Sequence, residues 1–359
     1  MEKQKVIISE QLESVLASAI NECNADRMFI LTDETTQRLC LPVVSRFDCL
    51  RGIEGITIPA GDTNKTLGSI THVWSELQRL GATRHSLLIN LGGGMVTDLG
   101  GFAASTFKRG IPYINIPTTL LSMVDASVGG KTGINFGGLK NEIGVFNNAR
   151  CVILDTIFLQ TLDSENILSG YAEMLKHGLI STESHWADLL NFEPLSPSTP
   201  SAPSAPSAPT LSALLQTSVA VKERIVEQDP TEKGIRKALN LGHTIGHAFE
   251  SLALQRKPIL HGYAVAYGLV GELYLSVAKT GFPVDKMRQT VRFIHDNYGR
   301  MPITCDDYPT LLELMTHDKK NVGSDINFTL LGGIGDIRIN QTATKEEIEE
   351  ALDFYREGC

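Results

Sequence analysis

The chain has 359 residues, 42% of them hydrophobic, enough apolar material for a large core divided between two domains. Its formal net charge of -9 excludes a general nucleic-acid-binding surface, so clustered cations in it point to small anions. No apolar run approaches the roughly 18 residues of a membrane span, and the start MEKQKVIISEQL has no apolar leader segment, so a cytoplasmic location without membrane contact is expected.

From Val6 to Thr161, short β-type runs alternate with amphipathic helical stretches. The runs VIIS, RMFILTD, GITIPAG, SLLINLGGG, YINIPTT and CVILDT predict βαβ units and a largely parallel sheet over residues 1–161. Beyond Leu162 helical periodicity dominates in ENILSGYAEMLKHGLI, ALLQTSVAVKERIVEQ, HAFESLAL, AVAYGLVGELYLSVAKT and KEEIEEALDFYRE, and strand signals become rare. The predicted class is therefore α/β, with a Rossmann-like nucleotide-binding domain over 1–161 and a mostly α-helical domain over 162–359. Between Pro194 and Pro209 a proline recurs every third residue, a polyproline II period that no helix interior tolerates. Residues 194–210 are thus expected to form an exposed insertion between two helices. The six cysteines include no CxxC pair, which predicts reduced and mostly buried thiols.

Candidate chemistry follows the same order along the chain. Asp33 ends a strand and could accept ribose hydroxyls, and Thr118 and Thr119 end another. Gly92, Gly93 and Gly94 follow a strand and open a helix, where backbone amides can approach a pyrophosphate; Thr97 breaks the full dinucleotide fingerprint. The alternative is a plain strand-to-helix turn. In MVDASVGGKTGINFGGLKNEIGVF, Asp125, Lys131, Lys140 and Asn141 sit among glycines, which predicts an anion-binding loop. Lys176 lies one helical turn after Glu173, and Lys222 follows. At these spacings Arg236, Asn240, His243 and His247 are expected to form a single stripe of one helix. Glu173, one or both of His243 and His247, and His261 after the loop at Pro258 make up a divalent-metal ligand set of mixed nitrogen and oxygen type. Three protein ligands leave a position open for substrate or water.

Five segments, GGGMVTDLGGF, IPTTLLSMVDASVGGKTGIN, AEMLKHG, RKALNLGHTIGHAFES and the HG at His261, carry a resemblance over nearly the whole chain. Through them the sequence resembles the 3-dehydroquinate synthases, within the sugar-phosphate cyclases. The resemblance implies zinc, or cobalt in its place, on Glu173, His243 and His261, which leaves His247 for proton transfer or phosphate contact. It places NAD+ on Asp33, Asp62, Lys65, Gly93, Gly94, Asp98, Thr118, Thr119, Lys140 and Thr161. It places the substrate on Asp125, Lys131, Asn141, Lys176, Lys222, Arg236, Asn240 and His247. Arg109 would reach a neighbouring subunit's site in a homodimer, and Lys319 or Lys320 would add a further cation. The chain departs from the family pattern at Asp62, usually Glu, at Tyr263, where the family reads HGE, and at Asp229-Pro230-Thr231-Glu232, where it reads DExE.

The implied reaction converts 3-deoxy-D-arabino-heptulosonate 7-phosphate into 3-dehydroquinate and phosphate. Oxidation at C5 acidifies the C6 proton, phosphate leaves by elimination, the hydride returns, and ring opening with aldol closure completes the sequence. Three other readings compete. Iron- or zinc-dependent alcohol and glycerol dehydrogenases share the glycine loop and helical metal domain, but their small neutral substrates need fewer cations. A 2-deoxy-scyllo-inosose synthase would run the same chemistry on another substrate, although Asn141, Arg236 and Asn240 favour the dehydroquinate branch. A nucleotide-binding module without catalysis would have no use for the intact Glu-His-His set.

Overall fold

The computed structural model describes residues 4–137, 139–195, 210–316 and 326–358. Residues 196–209 of the proline-rich stretch, and Lys319 and Lys320, lie outside the described residues. The chain falls into two compact units, Met1–Asp163 and Ser164–Cys359.

The first unit runs β1 (Val6–Ile8), α1 (Leu12–Cys23), β2 (Met28–Asp33), α2 (Glu34–Leu39), α3 (Leu41–Val44), β3 (Glu54–Ile58), α4 (Leu67–Arg79), β4 (Leu87–Gly92), α5 (Gly94–Thr106), β5 (Tyr113–Pro117), β6 (Lys131–Phe136), β7 (Leu139–Phe146) and β8 (Cys151–Leu154). Six of these strands form one parallel sheet in the order β1-β8-β5-β4-β2-β3. Every residue of β4 and β5 is buried, which is why LLINLG and YINIP lack the alternation of a half-exposed strand. From β2 the chain moves to β3 on one side, and from β4 to β5 on the other. The strand order therefore reverses between β2 and β4, and a parallel sheet opens a crevice at the carboxyl ends of such a pair. Asp33 and Gly92 end those two strands.

The glycine-rich segment predicted as a loop is different. It makes a single π-helical turn, Ser122–Ala126, and then an antiparallel ribbon of β6 and β7. Glycines at 133 and 144 face each other so closely across the ribbon that a Cβ on either would overlap the opposite backbone, so here glycine serves strand pairing rather than a flexible loop.

The second unit contains α6 (Ser164–Leu179), α7 (Glu183–Leu190), α8 (Leu211–Gln228), α9 (His243–Leu254), α10 (His261–Thr280), α11 (Val284–Tyr298), α12 (Tyr308–Thr316), the antiparallel pair β9 (Asn327–Gly333) and β10 (Asp336–Thr342), and α13 (Lys345–Glu357). Helix α13 starts at a capping box in which Thr344 Oγ1 accepts from Glu347 N at 3.3 Å and Glu347 Oε2 accepts from Thr344 N at 2.7 Å. The sheet pair went unread because β10 is a short polar run, DIRINQT, that alternates exposed and half-buried positions. Helix α10 is the spine, packed on α6, α9, α11, α13 and β9. It comes so near its neighbours that a Cβ at Gly262 would overlap the Ser169 carbonyl of α6, and one at Gly268 would overlap the Gly242 carbonyl and the Gly246 amide.

Two further expectations need correction. Arg236 and Asn240 do not share a helix with His243: they lie in a short 3-10 segment, Ile235–Asn240, and Gly242 at φ 80° ends that path before α9 begins. A left-handed glycine reverses the chain direction locally, so spacing across it carries no helical phase. Among the described cysteines only Cys40 and Cys151 are buried, while Cys305 is exposed at the head of a 3-10 turn. No helix among the described residues is long and apolar enough to cross a membrane.

The close helix crossing has a measurable consequence. Gly268→Ala must push apart two backbones and should lower stability by about 2–3 kcal/mol in denaturant melts. Gly68→Ala, on the exposed first turn of α4 with no clash within 3.4 Å, should be neutral or stabilising by up to about 1 kcal/mol. Equal losses in the two variants would show that the crossing is not tight.

Candidate active site

In the second unit the centre of the arrangement is Glu173, fully buried on the third turn of α6. Its Oε1 lies 3.4 Å from His243 Nε2 and 3.5 Å from His261 Nε2. These separations are longer than ordinary N–H···O bonds of about 2.7–3.2 Å. They match donors around a zinc instead: ligand distances of about 2.0–2.2 Å in a tetrahedron put neighbouring donors about 3.3–3.6 Å apart. Burying a carboxylate with two imidazoles aimed at it is costly unless a cation joins them. The residues present therefore fit a divalent metal.

Each donor is held from behind. His243, first residue of α9, directs Nδ1 to the Leu241 carbonyl at 3.1 Å; a carbonyl only accepts, so Nδ1 carries the proton and Nε2 faces Glu173. His261, first residue of α10, directs Nδ1 to Glu250 Oε2 at 3.2 Å. This is the carboxylate–histidine relay that fixes ring orientation in metal sites. Lys176, one turn from Glu173 and also buried, forms an ion pair with Glu173 Oε2. Burial alone would raise the Glu173 pKa, but Lys176 and then His243 and His261 hold it well below the usual carboxylate range. Burial likewise works against charge on His261, yet Glu250 and then Glu173 push its pKa up to about 10. Without a cation His261 keeps a proton that a bound metal would replace.

His247 sits one turn along α9, its ring 5.3 Å from that of His243 and 5.8 Å from that of His261. A metal-binding nitrogen from each of His243, His247 and His261 can be found within 4.8 Å of the others. The His243 and His261 rings are the two seen within 3.5 Å of Glu173 Oε1. Nearby in sequence, Asp229 clamps a turn by accepting from the backbone amides of Lys233, Gly234 and Arg236 at 3.0, 2.6 and 3.1 Å. The turn seats Arg236, whose Nη1 donates to the Pro230 carbonyl at 2.6 Å, and Asn240, whose Nδ2 donates to Glu232 Oε1 at 3.0 Å. Arg236 and Lys222 of α8 are both buried.

In the first unit a polar lattice joins distant segments. Lys65 Nζ donates to Asp98 Oδ2 of α5 and to Asn141 Oδ1 of β7, both at 2.5 Å. Asp62 lies 3.4 Å from Lys140 Nζ and accepts from Asn135 Nδ2 through its carbonyl at 3.0 Å. Asn135 also accepts from the Asn141 amide at 2.9 Å, so it ties the ribbon to the turn at Asp62. Gly93 caps α5 without a side chain, which leaves the first-turn amides of a 13-residue helix open to an anion. A Cβ at Gly94 would come within 3.0 Å of Ala126, so the glycines keep that approach clear. The amide of Thr118 bonds the Gly92 carbonyl, and Thr119 pairs with Ser122 at the start of the π-helical turn that carries Asp125. These residues fit a dinucleotide at the strand-order reversal.

The remaining predicted residues are less tightly grouped. Asp33 caps α2, accepting from Thr36 N at 2.7 Å, and Thr161 donates to the Phe158 carbonyl at the end of the unit. Lys131 is exposed at the head of β6, and Arg109 is exposed at φ 71° after α5. Sequence reasoning missed Glu250, Asn135 and Glu272. For the two acids a signal existed, since each is a single carboxylate within an apolar helical run. Asn135 gave none.

Comparisons with known proteins agree with this geometry. The family profile for the 3-dehydroquinate synthase N-terminal region matches residues 55–169, and that for its C-terminal region matches residues 170–321. A 3-dehydroquinate synthase from Parabacteroides distasonis is 54% identical over 359 residues, covering 100% of this chain and 99% of the relative. Among solved structures, a 2-epi-5-epi-valiolone synthase from Streptomyces hygroscopicus subsp. jinggangensis, with NAD+ and Zn2+ bound, superposes with a TM-score of 0.84 at 25% identity, covering 99% of this chain and 98% of that one. A 2-deoxy-scyllo-inosose synthase shares the fold, with a TM-score of 0.81 at 21% identity over 99% of this chain and 96% of that one. Matched by both profiles, and aligned from end to end with a relative of the same description, the chain belongs to the 3-dehydroquinate synthase family.

Proposed function

We propose that the chain catalyses the 3-dehydroquinate synthase reaction of aromatic biosynthesis. In this reading it is a phosphate-eliminating carbon–oxygen lyase acting on 3-deoxy-D-arabino-heptulosonate 7-phosphate, with NAD+ restored in every turnover. Family membership and the end-to-end relative support it. The observation that carries it is the burial of Lys176, Lys222 and Arg236 in the unit that holds the Glu173, His243 and His261 donors. Several cations gathered in one unit suit a substrate that bears both carboxylate and phosphate, to which they can donate charge-assisted bonds.

Glu173, His243 and His261 would hold the metal, which supplies Lewis acidity toward a substrate hydroxyl and the carbonyl that replaces it. Zinc is the ion bound in the valiolone synthase. Asp33, Asp62, Lys65, Gly93, Gly94, Asp98, Thr118, Thr119, Lys140 and Thr161 would hold NAD+, which supplies the hydride acceptor. Lysine and arginine side chains do the positioning: Lys131, Lys176, Lys222 and Arg236 neutralise the substrate, and Asn141, Asn240 and Asp125 orient its hydroxyls. The turn clamped by Asp229 fixes Arg236 before substrate arrives, so little ordering remains to be done on binding. His247 is the imidazole left outside the donor set, within reach of both ligating rings, and is the group assigned to hold or pass a proton. Copies pair as a homodimer in this reading, with the exposed Arg109 offered to the neighbour.

Three measurements test these assignments. Pure protein with the heptulosonate phosphate and a trace of NAD+ should release phosphate and dehydroquinate in large excess over cofactor, with no growth of NADH. One NADH per substrate and no phosphate would make it an alcohol dehydrogenase. Metal analysis should find about one ion per chain, lost in His243→Ala and in His261→Ala and kept in His247→Ala; the opposite pattern would move the ligand to His247. Lys131→Ala, on an exposed strand end, should raise KM for the phosphate substrate about tenfold or more by removing a charge-assisted bond, with NAD+ affinity unchanged. A shift in NAD+ affinity alone would place Lys131 with the cofactor.

A further inference from the structure

Helix α9 begins at the metal ligand His243, yet its own residues offer the first turn no side-chain cap and no acidic charge. The first-turn amides of a 12-residue helix carry about half a positive elementary charge. A dication held by the first residue would face that charge. The fold answers with Glu272, which lies about three turns into a neighbouring helix rather than in α9. Its side chain, fully buried in the apolar middle of α10, accepts from Gly242 N with Oε2 at 2.6 Å and from Thr244 N and Ile245 N with Oε1 at 2.9 and 3.1 Å. One carboxylate thus satisfies amides on both sides of His243. The close crossing at Gly268 brings α10 near enough for this reach.

We propose that Glu272 is a positioning residue of the metal site: it fixes the start of α9, and with it the His243 ring, and it neutralises the helix end so that a dication can be held there. Because Glu272 and His261 belong to the same helix, the same contact sets the spacing between two of the three donors. The inference rests on the reading that Glu173, His243 and His261 bind the metal. Glu272 touches neither metal nor substrate, so its effect must show in the metal site and not in chemistry alone.

The test uses the full-length protein, first stripped of metal and then titrated with Zn2+, with Co2+ substituted for visible spectroscopy of the ligand field. Glu272→Gln keeps the shape and removes the charge, and Glu272→Asp keeps the charge and shortens the reach. Ser276→Ala serves as the control, since Ser276 is a buried polar residue one turn further along α10, bonded to the Glu272 carbonyl and to Leu331 N. Both Glu272 variants should bind Zn2+ about tenfold or more weakly and shift the cobalt bands, while Ser276→Ala lowers the melting temperature and leaves affinity and bands as in the wild type. Folded Glu272 variants with wild-type affinity and spectrum overturn the proposal. So does a pair that fails to fold while Ser276→Ala folds, because Glu272 would then be purely structural. Wild-type protein that binds no metal, or binds it equally after His243→Ala, instead brings down the ligand assignment on which the proposal stands.

Discussion

A carboxylate with no solvent contact governs the second unit. Glu173 has zero exposure, so the protein must either neutralise it or surround it with positive charge. The fold takes the second course: an ion pair to Lys176 on one oxygen and two imidazole nitrogens around the other. The three helices that deliver these groups can converge only because Gly262 and Gly268 let α10 lie against α6 and α9 at backbone distance. Packing and chemistry are therefore one constraint here. A bulkier crossing would widen the 3.4 and 3.5 Å separations and weaken that compensation.

The first unit solves a different problem with bridged polar groups, from the buried Lys65 to exposed residues of the ribbon. Asp62, where relatives in the family usually carry Glu, is one methylene shorter, and on that ground alone its reach would be in doubt. The ribbon of β6 and β7 compensates by coming to it: Asn135 ties to the Asp62 carbonyl and Lys140 approaches its side chain. Asn135 also holds the Asn141 amide, and Asn141 in turn receives Lys65. Five polar residues from three segments thus fix one another, and the shorter side chain sits inside a lattice that does not depend on its length alone.

Much of this was legible from the sequence because local pattern and fold agree. The continuous apolar runs of β4 and β5 announce a sheet covered on both faces, and the glycines after β4 announce a helix start without a side-chain cap. The predicted donors Glu173, His243 and His261 are brought together in the structure. What was not legible depends on tertiary context. The helical stripe through Arg236 and His243 failed at one left-handed glycine, which periodicity cannot register. The ribbon was hidden because its glycines look like loop glycines until the opposite strand is present. Asn135, Glu250 and Glu272 act through partners between 6 and 73 residues away, mostly beyond any local window.

Tyr263 shows how such a distant partner resolves a local departure. Where the family reads HGE, this chain puts an aromatic ring two residues after the proposed metal ligand His261, and the loss of a carboxylate so near the site invites concern for the charge balance. The ring packs edge-on against Tyr298 and Tyr267, with centroids at 5.2 and 6.3 Å. The carboxylate that orients His261 comes instead from Glu250 on α9. Since α9 also carries His243, the two imidazoles are linked through a helix as well as through Glu173. The identity of residue 263 can therefore vary without moving the donor geometry, whereas Glu250 cannot.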